Sequence, residues 1–490
     1  MLQLILSQTT AHPVRILSHR LKDLFDRCNT ALCIGNPNVT NTAYPSDIGS
    51  MISRVIDKSQ ALTSVTVKSV NRPSCPSIMQ VLTSLIKLTG LHTLIFSHNA
   101  LFFEGSLSFA PSLIMLTGLQ TLGFHNNLLG PDGASSFAPS LMMLTGLHTL
   151  NLSNNYLGCS GTSSLAPSLM RLTGLHTLNH SLNCLGSAAA SSLAPVLMVL
   201  TRMQTLDLSR NDLNSAGASS LSISLSALTG LRTLNLRNNS LGPDGAASLA
   251  PSLMALTGLQ ILDLSGNFMG PSGVSSFAPS LIFLTGMQVL DLSTNLMESS
   301  GASSLAPALM SLTGLQTLNI CANLLGPAGA SLLAPYLTFL TGLHTLKLYE
   351  NKVGPDGASS LAPSLAILTG LKTLDISYNS MGPEGALSFA SSLIRLTGLH
   401  TLNLSHNALG PVGVSLIVHS LVVLTGMQTL HLAGNDMGPD GASSITPSLI
   451  TLTRLRTLDL SFNALVSANV SSMENSLKLL TGIKILNLKQ

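Results

Sequence analysis

The chain has 490 residues, of which only 9% are charged while 45% are hydrophobic. That balance excludes classical disorder, which needs low hydrophobicity and high net charge. A net charge of +3 gives no global attraction for nucleic acid or an acidic partner. No segment reaches the roughly 18 unbroken apolar residues of a spanning helix, because Ser, Thr, Gly or Asn interrupts every stretch.

In chain order, the apolar opening lacks a basic leader and is short for a signal peptide. Residues 1–90 hold nine Lys/Arg and four Asp/Glu, a local excess of +5 that the rest of the chain partly cancels. After Pro13, residues Val14, Leu17, Leu21, Leu24 and Phe25 predict one apolar helical face, with Arg15, Arg20, Lys22 and Arg27 largely elsewhere on the wheel. This basic helix reads as a cap over the first repeat, since solenoid ends need a polar lid. Its other capacity is contact with an anionic membrane surface. Residues 34–60, rich in Asn, Pro, Ser and Gly, read as a linker, so residues 1–61 form a cap-and-linker segment. Leu62 to Val67 then resembles a degenerate first strand, one position out of phase with the strands that follow.

From Leu91 the string L-x-x-L-x-L-x-x-N recurs. Its asparagines run from Asn99 through Asn127 and Asn155 to Asn463, fourteen in all, at a constant period of 28. A fixed period in this range means a stacked solenoid. In the copy beginning at Leu231, Leu234 and Leu236 alternate with polar residues, which predicts a short strand with one buried side. Asn239 ends it, an amide able to satisfy buried backbone groups. Leu249, Leu253 and Leu256 then mark one face of a helix, and Gly258 sits where a left-handed C-cap belongs. Pro251 recurs inside most copies of this segment. An interior proline costs about 3 kcal/mol or more, so short helices starting near the proline, or a kinked or 3-10 first turn, are expected.

The period and the run N-x-L-G-x-x-G-A-x-x-L-x-x-x-L-x-x-L-x-x-L resemble ribonuclease-inhibitor-like leucine-rich repeats, a subclass also found in NOD-like receptors and Ran GTPase-activating proteins. The resemblance covers roughly residues 62–490, as about fourteen full repeats between a degenerate first and a truncated last unit. It implies an α/β leucine-rich-repeat solenoid, a curved horseshoe with a parallel β-sheet on the concave face and helices on the convex face. The G-x4-G-K-[ST] of NOD-like receptors does not occur, and no arginine of the first repeats matches the catalytic context of a Ran GTPase activator.

Residues flanking the second and third leucines of each strand point to the concave face. Their columns are uniform: threonine first, Asn or Asp second, mostly serine third. Such uniformity reads as copying of one unit. The exceptions are therefore the candidate partner-binding residues: Lys347, Tyr349, Glu350 and Tyr378 in neighbouring repeats, with His406, His431 and Phe462 further along. Tyrosine and charge on an otherwise Ser/Thr/Asn surface are hot-spot chemistry. Asp263 and Asp291 fall side by side but make a poor cation site without further acidic ligands. His180 replaces a core leucine and predicts a local strand defect.

No catalytic set, metal-ligand cluster or phosphate loop emerges, so no catalytic, cofactor-binding or metal residue is assigned. Six scattered cysteines are too few for a disulfide scaffold and point to the cytoplasm. Leu486 to Gln490 stops in mid-repeat, which reads either as an incomplete product or as an edge that pairs with another molecule. The expected function is a non-enzymatic scaffold binding a protein partner on the concave face. The alternatives are a regulator of a GTPase or other enzyme and the sensing part of an immune-type receptor. Nucleic acid and membrane spans are not expected.

Overall fold

The computed structural model describes residues 3–4, 31–34, 62–68, 84–85 and 87–489. The helix expected after Pro13 lies outside the described residues. The chain divides into two compact units, Met1–Asn239 and Ser240–Gln490.

In the first unit the described residues form nine parallel strands. The expected degenerate strand is Ser64–Lys68, and it pairs in register with Thr93–Ser97. From Thr93 onward each strand pairs with its counterpart in the next repeat, Thr121 with Thr149 and so on to Thr233. Two further strands, Gln3–Leu4 and Ala31–Ile34, extend this sheet on the N-terminal side. The sequence reading did not anticipate them because Ala31 pairs with Ser64, off the period of the later strands. Helices Phe102–Leu113 to Asn214–Ser226 alternate with the strands.

The second unit repeats the plan with nine parallel strands, from Ile261–Asp263 to Ile485–Asn487. Its helices run from Gly242–Ala255 to Ser467–Leu477. In both units the repeated leucines fill the space between sheet and helices and are buried almost without exception. No helix among the described residues is long and apolar enough to cross a membrane.

The asparagine column is the inner spine of each unit. Every one from Asn99 to Asn463 is fully buried. Asn351 is representative: its Oδ1 accepts the Asn323 backbone N–H at 2.9 Å, and its Nδ2 donates to the carbonyls of Ile320 at 2.8 Å and Leu348 at 3.0 Å. One side chain thus satisfies polar groups of two consecutive turns that water does not reach.

Two local expectations are overturned. The recurrent proline does not start or shorten the helix: Gly130–Leu141 carries Pro139 and Gly354–Leu365 carries Pro363 well inside. These prolines lie on the exposed face, so the carbonyl each leaves unpaired faces solvent and the penalty is softened. Only at Pro279 does the helix change, from Gly270–Phe277 into a 3-10 segment, Ala278–Phe283. The serine after the proline also ties helices together, with Ser140 Oγ donating to the Ala110 carbonyl and Ser364 Oγ to that of Ala334, both at 2.6 Å.

The second correction concerns glycine. Gly258 does not adopt a left-handed conformation; the helix ends at Leu256 with φ −86° and ψ 49°. The left-handed residues instead precede the helix, as at Tyr378 (φ 55°), Ser380 (52°) and Gly382 (63°). This explains why Arg202 and Arg454 stand at the position of Gly258 in their own repeats.

Candidate functional site on the strand face

The strand face is built by a turn that recurs in both units. Where a strand ends in Asn or Asp followed two residues on by serine, one side-chain oxygen accepts the serine backbone N–H and, in most repeats, its hydroxyl. At Asn151 these bonds are 3.0 and 2.8 Å, and at Asp375 they are 3.1 and 2.6 Å. The uniform Asn/Asp and Ser columns therefore have a structural cause beyond copying: they close the strand. Asp291 is committed in the same way, with its other oxygen accepting Asn319 Nδ2 at 2.8 Å. Asp263 and Asp291 are partners in register, but no group of three or more metal-ligating side chains exists among the described residues.

Four strands lack the Asn/Asp, at Ile95, Gly123, Lys347 and His431. Three of them also lack the serine, having His125, Tyr349 and Ala433 instead. In the fourth, Ser97 keeps a buried hydroxyl without a partner. At the other three strands both acceptor and hydroxyl are absent, which frees both positions for other side chains, whereas Asn235, Asn319 and Asn487 keep the acceptor beside Arg237, Cys321 and Lys489.

At Lys347 and Tyr349 that freedom produces a row of rings. Tyr349 meets Tyr378 edge-on at 5.3 Å, and Tyr378 stacks on His406 at 4.1 Å with the planes 23° apart. Tyr378 is 47% exposed and Tyr349 half-buried. Such offset and edge-to-face contacts hold rings in fixed positions. The Tyr349 hydroxyl bonds to the Glu350 carboxylate, and that bond, followed by burial, raises its pKa above the usual phenol range. Lys347 is exposed and lies in register between Asn319 and Asp375.

The structure thus brings together Lys347, Tyr349, Glu350, Tyr378 and His406. It leaves two candidates apart. His431 faces Asp459, with Nδ1 and Oδ2 3.9 Å apart. Phe462 is 63% exposed and has Gly434 between it and His406 in its column. Gly434, absent from the sequence candidates, belongs with this group. Any Cβ there would collide with the His406 ring, so the glycine makes room for the end of the row. Its signal was a lone glycine beside an anomalous histidine in the same column.

In the first unit the same departure leaves a pair of imidazoles. His125 meets His98 edge-on at 5.4 Å. Burial first, then His98 and Lys68, lowers the pKa of His125 to about 4. His180 is fully buried yet causes no strand defect: Thr177–Asn179 pairs in register on both sides. Asn183 Nδ2 lies 3.3 Å from its Nδ1 and Thr162 Oγ1 lies 3.1 Å from its Nε2. An amide NH2 only donates, so Nδ1 accepts and the ring is neutral. Thr162 replaces the alanine found at 134, 190 and 218, a compensating polar residue. Burial lowers the His180 pKa to about 4.

Residues 200–222, 228–250, 256–278, 369–390, 396–418 and 425–445 match the Leucine Rich repeat family model. A leucine-rich repeat protein of Leptospira interrogans is 20% identical over 96% of this chain and 98% of its own, with a TM-score of 0.54. TLR13, solved as a complex with ssRNA13, is 19% identical over 95% of this chain and 69% of its own, with a TM-score of 0.50. These likenesses speak to the fold alone. No curated protein matches the chain. The matched repeats, the asparagine spine and the alternation of parallel strands with helices agree: the chain is a leucine-rich repeat protein.

Proposed function

We propose that the protein is a non-enzymatic scaffold that binds a protein partner on its strand face, through Lys347, Tyr349, Glu350, Tyr378 and His406. The observation that carries this reading is the stacked row from Tyr349 to His406, exposed on a surface otherwise committed to closing its own strands. Rigid, partly exposed tyrosines give large contact area at little entropic cost. Aspartates 263, 291, 375 and 459 end strands of the same unit. Such an acidic lining disfavours a phosphate backbone and supports a protein over nucleic acid. His431 and Phe462 flank the row as peripheral contacts.

The constant period of the repeat supports membership of the ribonuclease-inhibitor-like subclass. The free thiols of Cys159, Cys184 and Cys321 support a cytoplasmic location.

The test is quantitative capture of binding proteins by the full chain and by its Y349A/Y378A variant, followed by titration of the purified captured partner. Loss of about tenfold or more in affinity is expected, as for aromatic hot spots. Retention of the same proteins with unchanged affinity would sink the assignment.

A further inference from the structure

The turn that leads from each helix to the next strand forms one rim of the repeats, and in the first unit its composition is one-sided. Ile114 and Met115, Met142 and Met143, Met170 and Met198 stand at the helix C-terminal ends of four consecutive repeats. Each is between 38% and 58% exposed. Arg171 follows Met170 directly, and Arg202 and Arg232 lie in the succeeding turns, all exposed. Among the described residues of the unit no acid accompanies them. Glu104 and Asp132 are in the first turns of their helices, at the opposite end, and Asp212 lies just before a helix start. Asp207 ends a strand and is bonded to Ser209.

The described acids of this unit thus lie away from the helix ends, where three cations share the rim with flexible apolar side chains, while Lys68, Arg210 and Arg237 stand at strand ends. Strand pairing at a constant offset places these side chains at the same point of consecutive repeats. Methionine adapts to irregular surroundings. Arginine keeps its charge at the interface while its stem covers apolar surface. Exposed apolar side chains with cations beside them on one rim, and no acid among them, are the chemistry that recognises an anionic lipid surface.

We propose that this rim of the first unit docks on the surface of an anionic membrane, without spanning it. The site is separate from the tyrosine row and does not depend on the partner reading above.

The test is co-sedimentation of the full chain with vesicles of equal parts phosphatidylcholine and phosphatidylserine, and with vesicles of phosphatidylcholine alone. Binding to the anionic vesicles is expected to be stronger by about tenfold or more and to weaken as salt is raised. Both M142S/M143S/M170S and R171Q/R202Q/R232Q are expected to lower it by a similar factor with unchanged circular dichroism, the replaced side chains being exposed. Y349A/Y378A is expected to leave it unchanged. Absence of vesicle binding, equal binding to both compositions, or indifference to both triple variants would overturn the proposal. So would a variant effect on self-association in sedimentation velocity without any vesicle binding, which would assign the rim to a second copy of the chain.

Discussion

Two places on the strand face break the same rule and end differently. In the first unit Ile95 and Gly123 replace the strand-closing Asn/Asp, and Ser97 and His125 two residues on lose that acceptor. Ser97 is buried without a partner, and His125 is desolvated beside His98. The core beneath is unusually aromatic, with Phe109 and Phe124 at 4.8 Å and Phe124 and Phe137 at 4.8 Å. In the second unit Lys347 and Tyr349 make the same exchange, and the rings stay at the surface, stacked along the sheet. Losing the turn does not make a site. What distinguishes the two is what replaces the turn: a buried serine and one pair of imidazoles in the first unit, a continuous row of three rings in the second.

The largest expected effect tests whether the frame beneath the two places is the same. Asn127 accepts the Asn99 N–H and donates to the carbonyls of Phe96 and Phe124, as Asn351 does one unit later with Asn323, Ile320 and Leu348. Alanine at either position strands three buried polar groups at about 1–3 kcal/mol each, for a loss of roughly 3–9 kcal/mol. Urea unfolding together with amide exchange in the adjoining strands would show it. Markedly unequal losses at Asn127 and Asn351 would mean that the frames differ and not only the surfaces.

Acid separates the first unit further. The folded pKa values of His125 and His180, each about 4, lie below the ordinary value of 6.5. Between those values the unfolded chain binds protons that the folded chain does not. The stabilisation is therefore complete above pH 6.5 and drains away as pH falls towards 4. For fully buried His180 the shift corresponds to roughly 3 kcal/mol. H180L/T162A should remove the His180 share of this dependence, leaving that of His125, in first-unit unfolding monitored from pH 7 to 4. A variant that keeps the full slope would place the acid sensitivity elsewhere.

Much of this was legible in the sequence because the repeat is exact. A period of 28 with leucine and asparagine at fixed places dictates parallel strands in register, and the chain keeps that register wherever the period holds. It was illegible where a residue's role depends on an adjacent repeat. The proline penalty could not be weighed without knowing that its lost bond faces solvent. His180 looked like a defect until Thr162, in the preceding helix, proved to be its partner. The anomalous residues around Lys347 stood out as departures from their columns. The stacking from Tyr349 to His406, and the space Gly434 leaves for it, arise only when strands of successive repeats lie side by side.

The smallest effect sharpens the contrast most. Restoring the strand-closing turn should act oppositely on function at the two places. I95N gives the orphaned Ser97 hydroxyl an acceptor, worth about 1 kcal/mol of stability, and should leave partner binding untouched. K347D/Y349S rebuilds the same turn in the second unit and should add a similar increment, about 1 kcal/mol. It also removes the first ring of the row and a cation beside it, and should weaken partner binding by about tenfold or more. Thermal unfolding and titration of the captured partner, measured on both variants, decide the matter. A stabilised K347D/Y349S that still binds fully would reduce the exposed row to a tolerated gap in the turn pattern. A stabilised variant that no longer binds would mean that stability was given up there for contact.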